Sequence, residues 1–385
     1  MDAYDASQVP GPFGQDNTGA VCYFNSLWQM LIGCPAFARA VCATIPESAN
    51  CDSQFANCES ANCDSANCDS QFAIARQSRT AIAVRKFVAA YTSATAGVTA
   101  GAPAGATGAP SKIPSAGTSE ILRALVADLA ERRPAVRFGS GQESASEALV
   151  LLLDMLEPPA QSGVQSPVHP VTQLFRHRYA CLLRCLECHR DVSVTTDHAI
   201  NFNLFHFDSL PGGPPQTPEA FSEALRKIVN VVVDYRCEHC KKPTRAARIY
   251  SLKMIPEILF CSFNLYDGLG GPHGGHTARY FPERVRIPAA AGGAFEFRLV
   301  GQVEHSGGLG GGHYWARGLR TALVAGSAHV AGSAHVAGTA LAAESDFTGD
   351  SSAVFTLNDS HVGRGGFGPS PNTYIVVYHY AGIAP

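Results

Sequence analysis

Charge is scarce in this 385-residue chain: only 16% of residues are Asp, Glu, Lys or Arg, and the formal net charge is −3. A near-neutral surface lacks the field that gathers polyanions, so nucleic acid is not an expected partner. No apolar run reaches the ~18 residues that a membrane span needs. The opening MDAYDASQVPGPFGQ has no basic region followed by an apolar stretch, and so lacks a secretory leader. These absences lead to the expectation of a soluble intracellular protein, cytoplasmic or nuclear, with no membrane contact. Thirteen cysteines without a secretion signal then belong to a reducing compartment, where thiols serve metals or catalysis rather than disulfides. Apolar residues, by contrast, make up 46% of the chain, enough for a core in one large domain or two ordinary ones.

Two tracts repeat themselves. Residues 50–73 read NCDSQFANCESANCDSANCDSQFA, and residues 325–343 read AGSAHVAGSAHVAGTALAA. Neither has the roughly 20–50 residue period of a stacked-repeat architecture, and both read as exposed insertions. Cys51, Cys58, Cys63 and Cys68 follow the repeat rather than a Cys-x-x-Cys spacing, so they are not read as metal ligands. A third tract, residues 92–117, consists largely of small residues and is expected to be disordered.

Phe24, Leu27, Trp28 and Leu31 fall on one helical face, with Gln29 turned away from it. Residues 74–91 and 118–133 predict further helices. Ser144, with Glu147 three positions on, caps another that stops before Pro158. From about residue 171 the texture becomes short apolar or alternating runs: INFNLFHF, NVVVDYRC, EILFCSFNLY, FEFRLVGQVEH, SAVFTLND and NTYIVVYHY. Helices first and strands afterwards predict an α+β architecture.

In DNTGAVCYFNSLWQML, Cys22 lies between a glycine-containing turn and the first turn of the N-terminal helix. The unpaired N–H groups of a helix start favour a thiolate, the form a cysteine nucleophile must take. On position alone, a small core residue accounts for Cys22 equally well. HSGGLGGGHYWARG, residues 305–318, offers a base: Gly310, Gly311 and Gly312 clear side chains before His313, so that another backbone has room to pass, and Tyr314 and Ala316 continue as a strand. An exposed hairpin histidine is the competing reading. FTLNDSHVG, residues 355–363, ends a strand in Asn358 and Asp359; either is suited to orient an imidazole, and a plain turn would look the same. More specific are CLEC at 185–188 and CEHC at 237–240. Two such pairs are the pattern of a tetrahedral structural Zn2+ site held by Cys185, Cys188, Cys237 and Cys240, clipping two hairpin tips together. Cys181 and His189 are the nearest spare ligands.

Taken in chain order, these pieces resemble the ubiquitin-specific proteases. That family opens with a box like Asn-x-Gly-Asn-Thr-Cys-Tyr-x-Asn-Ser, here Asn17-Thr18-Gly19-Ala20-Val21-Cys22-Tyr23-Phe24-Asn25-Ser26. Its histidine box is similar to His305-Ser306-Gly307 with Gly312-His313-Tyr314-Trp315-Ala316, and its closing elements to Leu357-Asn358-Asp359-Ser360 and Tyr374 to Tyr378. The resemblance covers nearly the whole chain. It implies Cys22 as nucleophile, His313 as base and Asn358, in preference to Asp359, as the group orienting it; Asn17 and the Cys22 amide would serve the oxyanion.

The same resemblance implies a papain-like cysteine protease with helical thumb, β-rich palm and zinc-binding β fingers, as one catalytic domain over residues 1–385. The thumb would take about 10–160, with the insertions at 50–73 and 92–117. The fingers and part of the palm would take about 170–285, and the palm with the histidine box and the insertion at 325–343 about 286–385. Ubiquitin and ubiquitinated proteins are the implied partners of a monomeric enzyme, the Gly-Gly tail entering between Cys22 and His313 for hydrolysis through a thioester; zinc would be structural.

Some positions depart from the family. Ala20 and Val21 replace Asn-Thr, Ser144 stands where an acid meets the substrate's basic tail, and Phe263-Asn264-Leu265-Tyr266 replaces Leu-Lys-Arg-Phe. These changes bear on affinity and on the choice of modifier. Two alternatives therefore stand beside a deubiquitinase: a catalytically silent ubiquitin-binding module of the same fold, and a protease for a ubiquitin-like modifier.

Overall fold

The computed structural model describes residues 15–17, 20–45, 78–99, 117–139, 141, 143–157, 168–204, 214–266, 278–289, 292–308, 311–321 and 352–384. The repeat tracts at 50–73 and 325–343 lie outside the described residues. Helices come first: α1 (Cys22–Ile32), α2 (Pro35–Thr44), α3 (Arg79–Thr99), α4 (Thr118–Arg132), α5 (Ala145–Leu156) and a one-turn α6 (Pro170–Gln173). The Ser144 cap opens α5 as its sequence predicts, its hydroxyl accepting from the Glu147 N–H at 3.3 Å. α3 corrects an expectation, since it continues to Thr99, into the tract read as disordered. A helix whose earlier turns are anchored by buried Val84, Phe87, Val88 and Tyr91 adds further residues without a new nucleation cost.

Two sheets follow. β1 (His177–Cys185), β2 (Asp191–Ala199), β4 (Lys227–Arg236) and β5 (Pro243–Met254) form an antiparallel sheet in the order β2-β1-β5-β4. The larger sheet runs β11 (His361–Arg364), β10 (Ser352–Asn358), β9 (Gly311–Thr321), β8 (Ala294–Gly308), β12 (Thr373–Ala384), β6 (Ile258–Ser262) and β3 (Asn201–Asn203), with β7 (Arg284–Pro288) also paired to β8. Among the described residues, only the β3–β6 pairing in it is parallel. Period-two alternation gives this sheet two buried faces. Ile258, Phe260, Ile375 and Val377 join the helical core, while Leu259, Cys261, Val376 and Tyr378 face the second core, under α7 (Pro218–Arg226).

α1 sits in the middle of the first core. It lies on β8 and β9 and is covered by α2, α4 and α5, so all its residues are buried. Gln29, off the apolar stripe, therefore does not reach solvent. Its backbone carbonyl and Oε1 both accept from the guanidinium of Arg320 on β9, which is itself fully buried. A cation at a helix C-terminus meets its partial negative charge, and here it ties the last turn of α1 to the sheet. No single helix among the described residues is long and apolar enough to cross a membrane; α1 and α2 reach that length and apolarity only together, bent by 90° at their break, and α1 is buried in the core.

Trp28 is the largest fully buried side chain, with the rings of Phe24, Phe37 and Phe87 at 6.1, 5.9 and 5.2 Å. Its indole N–H has no partner among the described residues. Trp28→Ala is expected to cost about 3–5 kcal/mol in denaturant unfolding. Trp28→Phe, which also removes the unpaired N–H, is expected to cost less than about 1.5 kcal/mol. Equal losses would show that the core is not arranged around this ring.

Candidate active site and cysteine cluster

Cys22 is the first residue of α1, preceded by Val21, which offers no side-chain cap, and the first turn carries no acidic residue. The amides at this helix start are thus left to whatever stands before them. The cysteine is 4% exposed, and burial pushes its thiol pKa above the ordinary cysteine value. Hydrogen bonds from the backbone of Tyr314, Tyr23 and Cys22 itself pull the other way, while the Asp359 carboxylate adds to the rise. Burial thus works against the thiolate that the helix start favours.

The backbone contact from Tyr314 brings the nucleophile candidate to the strand that carries His313. In the β8–β9 hairpin Ser306 pairs with His313 and Gly307 with Gly312. A Cβ on Gly312 would lie 2.4 Å from the Ser306 carbonyl oxygen and 2.6 Å from His305 Nε2. The room at Gly312 is therefore used by the hairpin's own opposite strand; Gly310 lies outside the described residues. His313 Nε2 is 2.7 Å from Asn358 Oδ1 at the end of β10. An amide oxygen only accepts, so Nε2 carries the proton and Nδ1 of the neutral ring is the basic nitrogen.

Asp359 is turned elsewhere. It occupies the turn after β10 with φ 49°, and its carboxylate accepts from Asn17 Nδ2 at 3.0 Å and Asn25 Nδ2 at 2.8 Å. Asn17 Oδ1 receives the Val21 N–H at 3.4 Å, and the Gln15 N–H bonds the Asp359 carbonyl at 2.8 Å. The two adjacent residues left open by sequence thus face different partners: Asn358 the imidazole, Asp359 the two asparagines flanking Cys22. Asn25 also donates to the Asp16 carbonyl at 3.3 Å and accepts from the Thr118 hydroxyl.

Aromatic and hydroxyl groups line the adjoining side. The Tyr374 hydroxyl is 2.6 Å from that of Ser144 and 2.7 Å from that of Ser146, and its ring meets Tyr314 edge-on at 6.0 Å. The Tyr266 hydroxyl is 2.6 Å from His305 Nδ1, and His305 packs on Tyr314 at 4.1 Å. Sequence reasoning gave Asn25, Thr118 and Tyr266 no role. The one available signal was Asn25, an amide inside a helix with apolar neighbours. A cavity of about 570 Å3 between α7 and β7, lined by Tyr280, Glu219 and Glu283 among others, includes none of these residues.

The four predicted ligands do meet. The sulfur atoms of Cys185, Cys188, Cys237 and Cys240 all lie within 4.8 Å of one another, with 3.9 Å between Cys185 and Cys240 and 3.7 Å between Cys188 and Cys237. Two matching turns present them. His189 N–H bonds the Cys185 carbonyl at 3.0 Å and Lys241 N–H the Cys237 carbonyl at 2.9 Å, each donor residue having positive φ, 57° and 58°. The contacts suit a metal: bonds of ~2.3 Å in a tetrahedron put sulfur atoms ~3.8 Å apart. Cys181 and His189 are not in the cluster. The donor set is one that could hold a metal ion.

The family model described as "Ubiquitin carboxyl-terminal hydrolase" matches residues 13–362. Ubiquitin carboxyl-terminal hydrolase 36 of Drosophila virilis is 26% identical over 319 residues, covering 80% of this chain and 23% of that protein. The Drosophila ananassae protein of the same name is 27% identical over 315 residues, covering 79% and 25%. The chain thus spans about a quarter of the length of these curated relatives. Among solved structures, a SAGA DUB module of Ubp8, Sgf11, Sus1 and Sgf73 bound to monoubiquitin matches with TM-score 0.59 and 15% identity, covering all of this chain and 72% of that one. The same module bound to ubiquitin aldehyde matches with TM-score 0.56 and 14% identity, again covering all of this chain and 72% of that one. At that identity the likeness concerns the fold: helical thumb, sheet palm and a four-stranded finger sheet whose tip bears the cysteine cluster. A family match that begins before Cys22 and ends beyond Asn358 takes in Cys22, His313 and Asn358 together, and the chain belongs to the ubiquitin carboxyl-terminal hydrolase family, in its ubiquitin-specific protease branch.

Proposed function

We propose that this chain is a thiol-dependent deubiquitinase that hydrolyses the isopeptide or peptide bond after the C-terminal glycine of ubiquitin. The observation that carries the reading is the His313 Nε2–Asn358 Oδ1 bond of 2.7 Å on the strand whose next residue, Tyr314, touches the Cys22 thiol. Asn358 fixes the ring and its tautomer, leaving Nδ1 to take the thiol proton. Burial raises the resting thiol pKa, so the base His313 is needed to draw the proton off. The thiolate attacks the glycine carbonyl, the C=O pair moves to oxygen, and the Cys22 amide with Asn17 Nδ2 receives the oxyanion. Asp359, which accepts from Asn17, holds that amide in place. Collapse expels the amine, protonated by His313, and leaves a thioester that water, deprotonated by His313, hydrolyses.

Cys185, Cys188, Cys237 and Cys240 are assigned to one zinc ion. Bound there, it would cross-link the β1–β2 and β4–β5 turns and supply no step of the reaction. We read thumb, palm and fingers as one catalytic domain. The matched SAGA structures are modules of several named proteins, bound to monoubiquitin or to ubiquitin aldehyde, and lend the expected monomer no support. A second reading, a protease for a ubiquitin-like modifier, is favoured by one feature: the Ser144–Ser146–Tyr374 hydroxyl cluster stands where the family carries an acid.

Turnover of ubiquitin carrying a C-terminal fluorogenic amide tests the proposal, beside the same amide on ubiquitin-like modifiers. Wild type is expected to release the fluorophore and Cys22→Ala to release none; release by the mutant would mean that the wrong nucleophile is named, and no release by either would favour a silent binding module. Asn17→Ala is expected to lower kcat by roughly 10²–10³. Asp359→Asn separates the two effects of that carboxylate. Its negative charge disfavours the thiolate, so its removal lowers the Cys22 pKa and speeds iodoacetamide alkylation at pH 7.5, while hydrolysis slows as Asn17 loses its hold. Parallel changes in both rates would contradict this division. Elemental analysis is expected to find one zinc per chain, lost with cooperative unfolding of the fingers in Cys188→Ser; a metal-free chain with intact fingers would refute the clip.

A further inference from the structure

Thr118 opens α4 and is 1% exposed, yet it caps nothing: the residue before it, Gly117, is the helix N-cap, without a side-chain bond. Its hydroxyl donates instead to Asn25 Oδ1. Asn25 is 2% exposed, and its Nδ2 donates to Asp359 Oδ1 at 2.8 Å and to the Asp16 carbonyl at 3.3 Å. Both ends of this amide are thus committed. The carboxylate requires the NH2 end on its side, which turns the oxygen towards α4, where Thr118 supplies the donor. A continuous chain runs from the start of α4 through α1 to the turn that holds Asn17.

We propose that Thr118 is a positioning residue for the active centre, acting through Asn25 on the Asp359 carboxylate and through Asp359 on the Asn17 amide. The inference rests on the deubiquitinase reading and adds to it a group beyond the hydrolytic machinery. Without the hydroxyl, Asn25 Oδ1 is a buried acceptor with no donor, and the amide gains by rotating. Rotation sets its oxygen against the Asp359 carboxylate. The carboxylate must then move, and Asn17 with it, and small displacements of a group that meets the transition state cost rate.

The test uses Thr118→Val, which keeps the shape, and Thr118→Ser, which keeps the hydroxyl. Each is measured well below its melting temperature on the fluorogenic ubiquitin amide and combined with Asp359→Ala. The expected result is a kcat about tenfold lower in the valine variant with KM within about twofold, recovery in the serine variant, and no further loss from valine once Asp359 is alanine. An unchanged kcat overturns the proposal. So does an equal loss in both backgrounds, which would mark a general packing role. A second readout needs no substrate: hydrogen exchange of the Asn25 side-chain amide, followed by NMR. It is expected to be at least about tenfold faster in the valine variant and restored by serine. If wild type turns over no ubiquitin, the proposed function fails while this exchange still decides the contact, and unchanged exchange overturns it.

Discussion

The structure depends on the seating of one helix. α1 carries the nucleophile candidate at its first residue, and its last turn is held by the buried Arg320 guanidinium of β9, the strand that begins with the His313 segment. Helix and strand are thereby joined at both ends: by the Tyr314 backbone at Cys22 and by Arg320 at Gln29. Burial of α1 on all sides, with Trp28 among three aromatic rings, removes the freedom that would otherwise let Cys22 and His313 drift apart. The glycines of the β8–β9 hairpin serve the same end, since a side chain at Gly312 would collide with the opposite strand.

Burial that fixes geometry also works against ionisation. A thiol at 4% exposure, with a carboxylate acting on it, stays protonated more readily than a free cysteine. The site answers by dividing its polar groups. A neutral amide, Asn358, orients the imidazole, so no anion is set against the ring's far nitrogen. The anion, Asp359, is directed at Asn17 and Asn25, where its charge orders donors. The same carboxylate that disfavours the thiolate thus fixes the two amides on either side of Cys22.

Much of this was legible in residue order. Helical periodicity, the Ser144 cap and the apolar runs gave α1, α5, β6, β8, β10 and β12 because each buries an apolar stripe or both faces of a strand. The finger strands β1, β2 and β5 were not: HRYACLLRC and PTRAARIYSLKM mix arginine with apolar residues, since much of this sheet stays partly exposed. The two Cys-x-x-Cys pairs read clearly because their chemistry is local. Asn358 against Asp359 could not be resolved in one dimension, since both neighbours suit a histidine until the turn and its positive φ send them apart. Asn25 stood out only as an amide among apolar neighbours, and Thr118 not at all: the partners are 334 and 93 residues away, and nothing local says what a buried amide or hydroxyl is paired with. How deeply Cys22 is buried was not legible, because the sequence displays the helix start and not the protein packed over it.

The most direct measurement is intact mass after mixing the protein with ubiquitin bearing a thiol-reactive C-terminal electrophile, followed by peptide mapping of the adduct. The account requires one ubiquitin per chain, attached at Cys22, with attachment suppressed when His313 is replaced by alanine. Attachment at another cysteine, or none in a folded and zinc-loaded sample, would contradict it.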